Sequence, residues 1–108
     1  MSKETFPPWY TFLKQHHGKF MEALERLGEA VRQEGPLEAK TAHLVQLAAA
    51  TAIRSEGAVH SHTRRALQAG ATPEEIYHAV LLLTSTIGFP TVSAALSWVN
   101  DILKKAAE

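Results

Sequence analysis

Histidine is the residue type in this chain that is best suited to chemistry near neutral pH. The sequence holds six histidines and no cysteine. Imidazole is the side chain whose charge ordinarily changes between pH 5 and 8. Without a thiol, this chain cannot form disulfides, thiolate nucleophiles, iron–sulfur clusters or cysteine zinc sites. The positions of the histidines relative to other polar groups therefore carry most of the functional information.

Two histidines are candidates for a site in the protein interior. At about 100° per residue, Ser55, Ala58 and His62 share one face of a predicted helix, and their small side chains indicate that this face points inward. A buried imidazole needs hydrogen-bond partners for both nitrogens. His43, on an apolar helix, raises the same question. Either histidine alone is more typical of a satisfied core residue, whereas two that face each other would indicate a polar pocket. Spacing in the sequence leaves open whether they meet.

A second row of polar residues lies on another face of the same helix. Glu56, His60 and Arg64 follow one another at intervals of four. The simplest interpretation is a solvated charge ladder, in which each pair contributes about 0.2–0.5 kcal/mol. His60 and His62 lie on roughly opposite sides, so they do not form a two-ligand metal site. Since no two histidines are spaced i, i+4, we predict no metal.

The elements that must position these residues are all helical. Apolar side chains recur at helical spacing, and sustained alternation typical of strands is lacking. We predict an all-α fold with five helices: from near Pro8 to before Gly35, after Pro36, from about Ser55 to Ala69, from Thr72 to Ile87, and from Pro90 onward.

Several helix ends carry specific signals. Thr72 is a predicted N-cap followed by Pro73 at the first helical position and Glu75 at the third, which is the pattern of a capping box. Gly70 suits the left-handed position that closes the preceding helix. Ser55 is a predicted N-cap as well.

Length and composition favour one small soluble domain. The 108 residues, of 11.8 kDa, predict a single domain over residues 1–108. Zero formal charge argues against a nucleic-acid-binding module. Neither a targeting segment nor an apolar run of membrane-spanning length is evident, so we expect a cytoplasmic protein without membrane contact. The second and fourth helices are apolar on nearly every side, which predicts a homo-oligomer.

The residues after the interior histidine resemble a known family. The stretch from His62 to Ile76, with its Gly70-Ala71-Thr72-Pro73-Glu74-Glu75 turn, is similar to the signature of the carboxymuconolactone decarboxylase family, which includes the alkylhydroperoxidase D-like proteins. The Gly88-Phe89-Pro90 break resembles the next landmark. The resemblance is strongest over residues 37–103. It implies an all-α fold that assembles as a homotrimer or homohexamer.

The resemblance implies two chemistries, and the sequence departs from one. Alkylhydroperoxidase D-like members use a Cys-x-x-Cys pair, a downstream histidine and an upstream glutamate. The two cysteine positions align with Ser55 and Ala58, the histidine with His62, and the glutamate with His43. Of these residues, only the histidine at position 62 is retained. A helix N-terminus activates a thiol but does not activate a serine hydroxyl without a base. The peroxiredoxin-type activity is therefore disfavoured.

The decarboxylase branch needs no thiol, metal or organic cofactor. By resemblance, His62 would act as a general acid that delivers a proton to the carbon losing CO₂, with His43 and Ser55 assisting. Arg64 or Arg65 would hold a substrate carboxylate. The expected partner is a small carboxylated or lactone-like metabolite.

Two further expectations complete the hypothesis. Glu56 and His60 are additional candidate substrate-binding residues. The alternative is a non-catalytic family member, an oligomeric scaffold or ligand-binding protein that lacks the thiol chemistry. A solvent-connected pocket holding both interior histidines would favour the enzyme, and a dry, filled site would favour the alternative.

Overall fold

The computed structural model of the protein describes residues 8–108, and every regular element in that range is an α-helix. The helices are α1 (Pro8–His16), α2 (Gly18–Gln33), α3 (Ala39–Ala52), α4 (Glu56–Gln68), α5 (Pro73–Leu81), α6 (Thr84–Ile87) and α7 (Phe89–Ala107). The all-α prediction is confirmed, although the predicted five helices become six plus the single-turn α6. In this part of the chain no helix combines the length and the apolar character needed to cross a membrane.

The chain divides into two compact units, one ending at Pro36 and the other spanning Leu37–Glu108. In the first unit, α1 and α2 pack together, and the Tyr10 hydroxyl donates a 2.7 Å hydrogen bond to Glu25. Lys14 lies 3.3 Å from the same carboxylate. The prediction of a single domain stays a prediction.

The predicted first helix is wrong in one respect, because it is interrupted at His17. This residue has φ −139° and ψ 54°, outside the helical region. Its carbonyl oxygen still accepts a 3.0 Å hydrogen bond from the Met21 N–H, so it serves as the first residue before α2. The following Gly18 is a poor helix former, which lowers the cost of an interruption here.

In the second unit, α4 packs against both α3 and α7, and α5 also contacts α3 and α7. Their apolar faces share one core, which includes Leu47, Val59, Ala66, Ile76, Val80, Val92, Val99 and Leu103. Because α4 has a neighbour on each side, polar residues on its different faces are presented to different helices.

The turn that joins α3 to α4 is a Schellman motif, in which two N–H groups satisfy the last carbonyls of α3. The Arg54 N–H donates to Thr51 at 3.0 Å and the Ser55 N–H donates to Ala50 at 3.0 Å. Arg54 has φ 57°, a left-handed conformation that glycine adopts more readily. At the end of α4 the same motif places Gly70 in this position, with φ 99°, as the sequence predicts.

The start of α5 is the predicted capping box. The Thr72 hydroxyl accepts a 3.1 Å hydrogen bond from the Glu75 N–H, while the Thr72 N–H donates to the Glu75 carboxylate at 2.9 Å. Lys40, in the first turn of α3, lies 3.1 Å from the same carboxylate. The backbone N–H of Thr72, and then Lys40, hold the pKa of Glu75 below its ordinary value.

The predicted fourth helix ends earlier than expected. The sequence pattern predicts a helix that continues to Ile87, but α5 ends at Leu81 and the one-turn α6 follows. At Leu83 the N–H bonds to Val80, three residues back, and the Thr84 hydroxyl donates to Leu81 at 2.8 Å. These bonds tighten the last turn and interrupt the regular i→i−4 ladder.

Replacing Arg54 by glycine should stabilise the protein. The left-handed conformation costs an L-residue roughly 1–2 kcal/mol, and the greater freedom of glycine in the unfolded chain offsets part of the gain. For Arg54→Gly we expect the free energy of unfolding in urea to rise by about 0.5–1 kcal/mol. Arg54→Ala, which removes the side chain but keeps the Cβ, should give no such gain; equal stabilisation by both variants would contradict the strain argument.

The ion pair and cap at Glu75 should make stability depend on pH in acid. A carboxyl whose pKa is lowered in the folded state contributes stability above its unfolded-state pKa, ordinarily 4.5, and that contribution is lost as the pH falls through the folded value. The free energy of unfolding of Glu75→Gln in urea should therefore lie furthest below that of wild type at neutral pH, and the two values should converge in acid. Glu74→Gln removes the same charge from the same helical turn without touching the Lys40 ion pair. A difference in unfolding free energy between Glu75→Gln and wild type that persists unchanged at low pH would contradict this prediction.

Candidate functional site

The two interior histidines meet where α3 packs against α4. The Nδ1 atoms of His43 and His62 are 3.4 Å apart, which is a long hydrogen bond. Their ring centroids are separated by 5.6 Å, and the rings are tilted by 36°. His43 is buried, with 6% of its surface exposed, and His62 is half-buried. The structure thus answers the question that sequence spacing left open.

The identity of the two facing atoms determines how protons are arranged. A hydrogen bond between two Nδ1 atoms requires one ring to donate from a protonated Nδ1 and the other to accept with its lone pair. If both Nδ1 atoms carried hydrogen, two N–H groups would point at each other. The pair therefore accommodates one positive charge far more readily than two.

The positions of the two rings follow from helix packing and from the turn between the helices. His43 lies on the buried face of α3 with Leu47 and Ala50. The residue before α4, Ser55, is held by its own N–H bond to the Ala50 carbonyl. His62 lies two turns into α4, on the side that faces α3.

Ser55 has a structural role at the start of α4. Its Oγ accepts a 3.3 Å hydrogen bond from the Ala58 N–H, as predicted for an N-cap. Ser55 and Ala58 are both half-buried, and they lie on the side of α4 that carries His62. A catalytic role for Ser55 stays a prediction.

Glu56 and His60 make their contacts on a different side of α4. The Nε2 atom of His60 lies 3.2 Å from an oxygen of Asp101 on α7 and 4.0 Å from an oxygen of Glu56. The predicted charge ladder is therefore present in its Glu56–His60 step but extends to another helix. The contacts that position His60 are with α7, whereas those of His62 are with α3.

The two arginines are separated by the geometry of the helix. Arg64 follows His60 by four residues and Arg65 follows His62 by three, so each shares a side of α4 with a different histidine. Both side chains are half-buried. Of the two predicted carboxylate-binding residues, Arg65 is the one placed on the His62 side.

Sequence reasoning missed two features near these sites. Asp101 is 41 positions from His60, and no local pattern connects them. Among the described residues, Gln46 Oε1 and Thr63 Oγ1 are buried and have no hydrogen-bond partner. Gln46 follows His43 by three positions, so its place on the same side of α3 could have been read from the spacing.

Comparison with known proteins agrees with the helical architecture. A sequence model of the carboxymuconolactone decarboxylase family matches residues 18–101. The structure is similar to the crystal structure of an apo carboxymuconolactone decarboxylase family protein from Legionella pneumophila, with a TM-score of 0.75 and 20% sequence identity over 91% of this chain and 88% of that one. No curated protein sequence matches the chain. Since the family match covers most of the sequence, the chain belongs to the carboxymuconolactone decarboxylase family.

Proposed function

We propose that this protein is an acid–base enzyme that decarboxylates a small carboxylated or lactone-like metabolite, with His62 as the general acid. The observation that carries the proposal is the contact between His43 and His62, 3.4 Å apart at the α3–α4 interface. Two imidazoles in contact provide one group that gives a proton and a second whose lone pair stabilises the first ring in its protonated form. Family membership supports the reaction class.

The proposed reaction breaks the carbon–carbon bond between the substrate and its carboxylate group. CO₂ leaves, and the electron pair remains on the substrate carbon, delocalised into an adjacent carbonyl or lactone group. The protonated imidazole of His62 then donates a proton to that carbon, which forms the new C–H bond. The neutral imidazole recovers its proton from water, so the cycle needs no oxidant or reductant.

His43 is proposed to be a positioning residue for this step. When His62 is protonated, its Nδ1–H donates to the lone pair on His43 Nδ1, across the 3.4 Å contact. A hydrogen bond to the charged form favours that form. The burial of His43 limits the competition of water for this hydrogen bond.

Two neighbouring side chains are proposed to bind the substrate. Arg65, three residues after His62, presents a guanidinium that suits bidentate binding of a carboxylate. Gln46 supplies the buried Oε1 acceptor on the His43 side of α3, which suits a substrate hydroxyl. Glu56 and His60 are not part of this proposed substrate site, because His60 contacts Asp101 on α7 and Glu56 lies beside His60.

One observation favours a second candidate function. Only 6% of the surface of His43 is exposed, which is also the environment of a histidine that serves packing. The alternative is therefore a ligand-binding or scaffold member of the family without turnover. A peroxiredoxin-type function stays disfavoured, because the positions aligned with the cysteine pair hold Ser55 and Ala58.

Self-association is proposed on separate grounds. The second unit exposes large apolar side chains on α3 and α5, at the first residue of α7 and in the adjoining turns, namely Val45, Ile53, Leu81, Leu82 and Phe89. Large apolar side chains left exposed are a feature of surfaces that contact other proteins. We propose a homotrimer or homohexamer that covers them.

Substitution of the two histidines tests the catalytic proposal. With carboxymuconolactone and related carboxylated lactones in D₂O, we expect NMR to detect loss of CO₂ and deuterium at the carbon that carried it. His62→Gln should lower kcat by roughly 10²–10⁴-fold, because general acid catalysis contributes that much. His43→Gln should lower kcat by roughly tenfold or more, since a hydrogen bond to a charged group is worth about 1.5–3 kcal/mol.

The matched control is His78→Gln, an exposed histidine on α5 that should retain wild-type turnover. Full activity of His62→Gln would disprove the role of His62. Saturable binding of these compounds without any turnover would instead support the non-catalytic candidate.

A charge placed among the exposed apolar side chains tests self-association. Sedimentation velocity of wild-type protein should give a mass several times that of the 11.8 kDa chain. Leu82→Glu should shift the distribution to smaller species, because an unpaired carboxylate is costly to bury in an interface. Gln68→Glu adds the same side chain at an exposed position on α4 and should leave the mass unchanged. A monomeric wild-type protein would refute the proposal.

A further inference from the structure

A second group of polar side chains lies between α4 and α7, apart from the two histidines of the proposed active site. Glu56, His60 and Asp101 each offer one ligand-capable atom, and these three atoms all lie within 4.8 Å of one another. Glu56 and His60 come from one face of α4 at spacing i, i+4, and Asp101 comes from α7. The group is therefore assembled by tertiary packing.

We propose that Glu56, His60 and Asp101 form a binding site for a divalent transition-metal ion of the zinc class, which joins α4 to α7. The donor set is one imidazole nitrogen and two carboxylate oxygens. Imidazole is a ligand that suits Zn²⁺, Ni²⁺ and Cu²⁺ better than Mg²⁺ or Ca²⁺. Two carboxylates balance the two positive charges of the ion.

The distances suit this class of ion. Zinc binds imidazole nitrogen and carboxylate oxygen at about 2.0–2.2 Å. Two such ligands on one ion therefore lie about 3–3.5 Å apart. His60 Nε2 and Asp101 Oδ2 are already 3.2 Å apart. The Glu56 oxygen, at 4.0 Å from the same nitrogen, belongs to an exposed side chain that can move closer.

Electrostatics also favours a cation at this position. The carboxylates of Glu56 and Asp101 both lie next to the His60 ring. Like charges this close disfavour each other, and a divalent ion between them removes that repulsion. Helical spacing places two cationic side chains where they can compete for the carboxylates, because Arg64 lies one turn after His60 and Lys105 one turn after Asp101. Their competition argues for a site of moderate affinity. Three protein ligands leave the remaining coordination position of the ion to water.

The test is a calorimetric titration of ZnCl₂ into full-length protein from which any affinity tag has been removed, in metal-free buffer at pH 7.5. We expect one Zn²⁺ per chain, a rise in Tm with Zn²⁺ concentration, and d–d absorption bands when Co²⁺ replaces Zn²⁺. His60→Gln and Asp101→Asn should each weaken Zn²⁺ binding by at least about tenfold. Even the loss of a residue that only hydrogen-bonds to a metal ligand lowers metal affinity by about 10–100-fold.

Two histidine variants serve as controls. His78→Gln, on α5, should bind Zn²⁺ like wild type. His43→Gln should also retain binding, which separates this site from the His43–His62 pair. Asp101→Asn keeps the shape of the side chain, and circular dichroism at 222 nm verifies that each variant is folded.

Three results would overturn the proposal: no Zn²⁺ binding to the wild-type chain, binding that both His60→Gln and Asp101→Asn leave intact, or binding that His43→Gln abolishes. In the first case the three side chains form only an ion-pair group between two helices. In the last case the metal binds at the His43–His62 pair. Because the readout is metal binding, the result does not depend on whether the proposed decarboxylase activity is found.

Discussion

The packing of α4 between α3 and α7 is the constraint on which both polar clusters depend. A helix advances by 100° per residue, so two residues separated by one position point in nearly opposite directions. His60 and His62 are such a pair. One ring contacts Asp101 on α7, and the other contacts His43 on α3. The second unit can therefore hold two chemically different sites on one 13-residue helix.

Local features of the fold were predictable because their causes are local. The Thr72–Glu75 capping box, the Ser55 N-cap and the left-handed Gly70 each depend on side chains within a few residues of the helix end. The interruptions at His17 and Leu83 were not predicted, since the apolar periodicity continues across both. A change in backbone geometry that leaves the pattern of side chains intact gives no signal in that pattern.

The candidate sites were less predictable than the helix ends, because their contacts join residues that are distant in the sequence. The inward face of His62 and the apolar setting of His43 could be inferred, and the sequence separation of 19 residues gave no indication that their rings meet. Asp101 was beyond any such inference, because only the packing of α7 on α4 brings it to His60. Contacts between distant segments depend on the angle and register of packed helices, which a single sequence does not specify.

The α3–α4 turn links the absence of cysteine to the arrangement of the histidines. Ser55 caps α4 and Ala58 supplies the N–H that it binds, at the positions where thiol-dependent relatives are expected to carry cysteines. The contact between His43 and His62 is symmetric, because Nδ1 of one ring faces Nδ1 of the other across the hydrogen bond. Exchanging donor and acceptor therefore changes the tautomer of both rings without moving any heavy atom. The direction of proton transfer is then decided by whatever contacts the outer nitrogen of each ring, so the pair itself is reversible and its surroundings set its polarity.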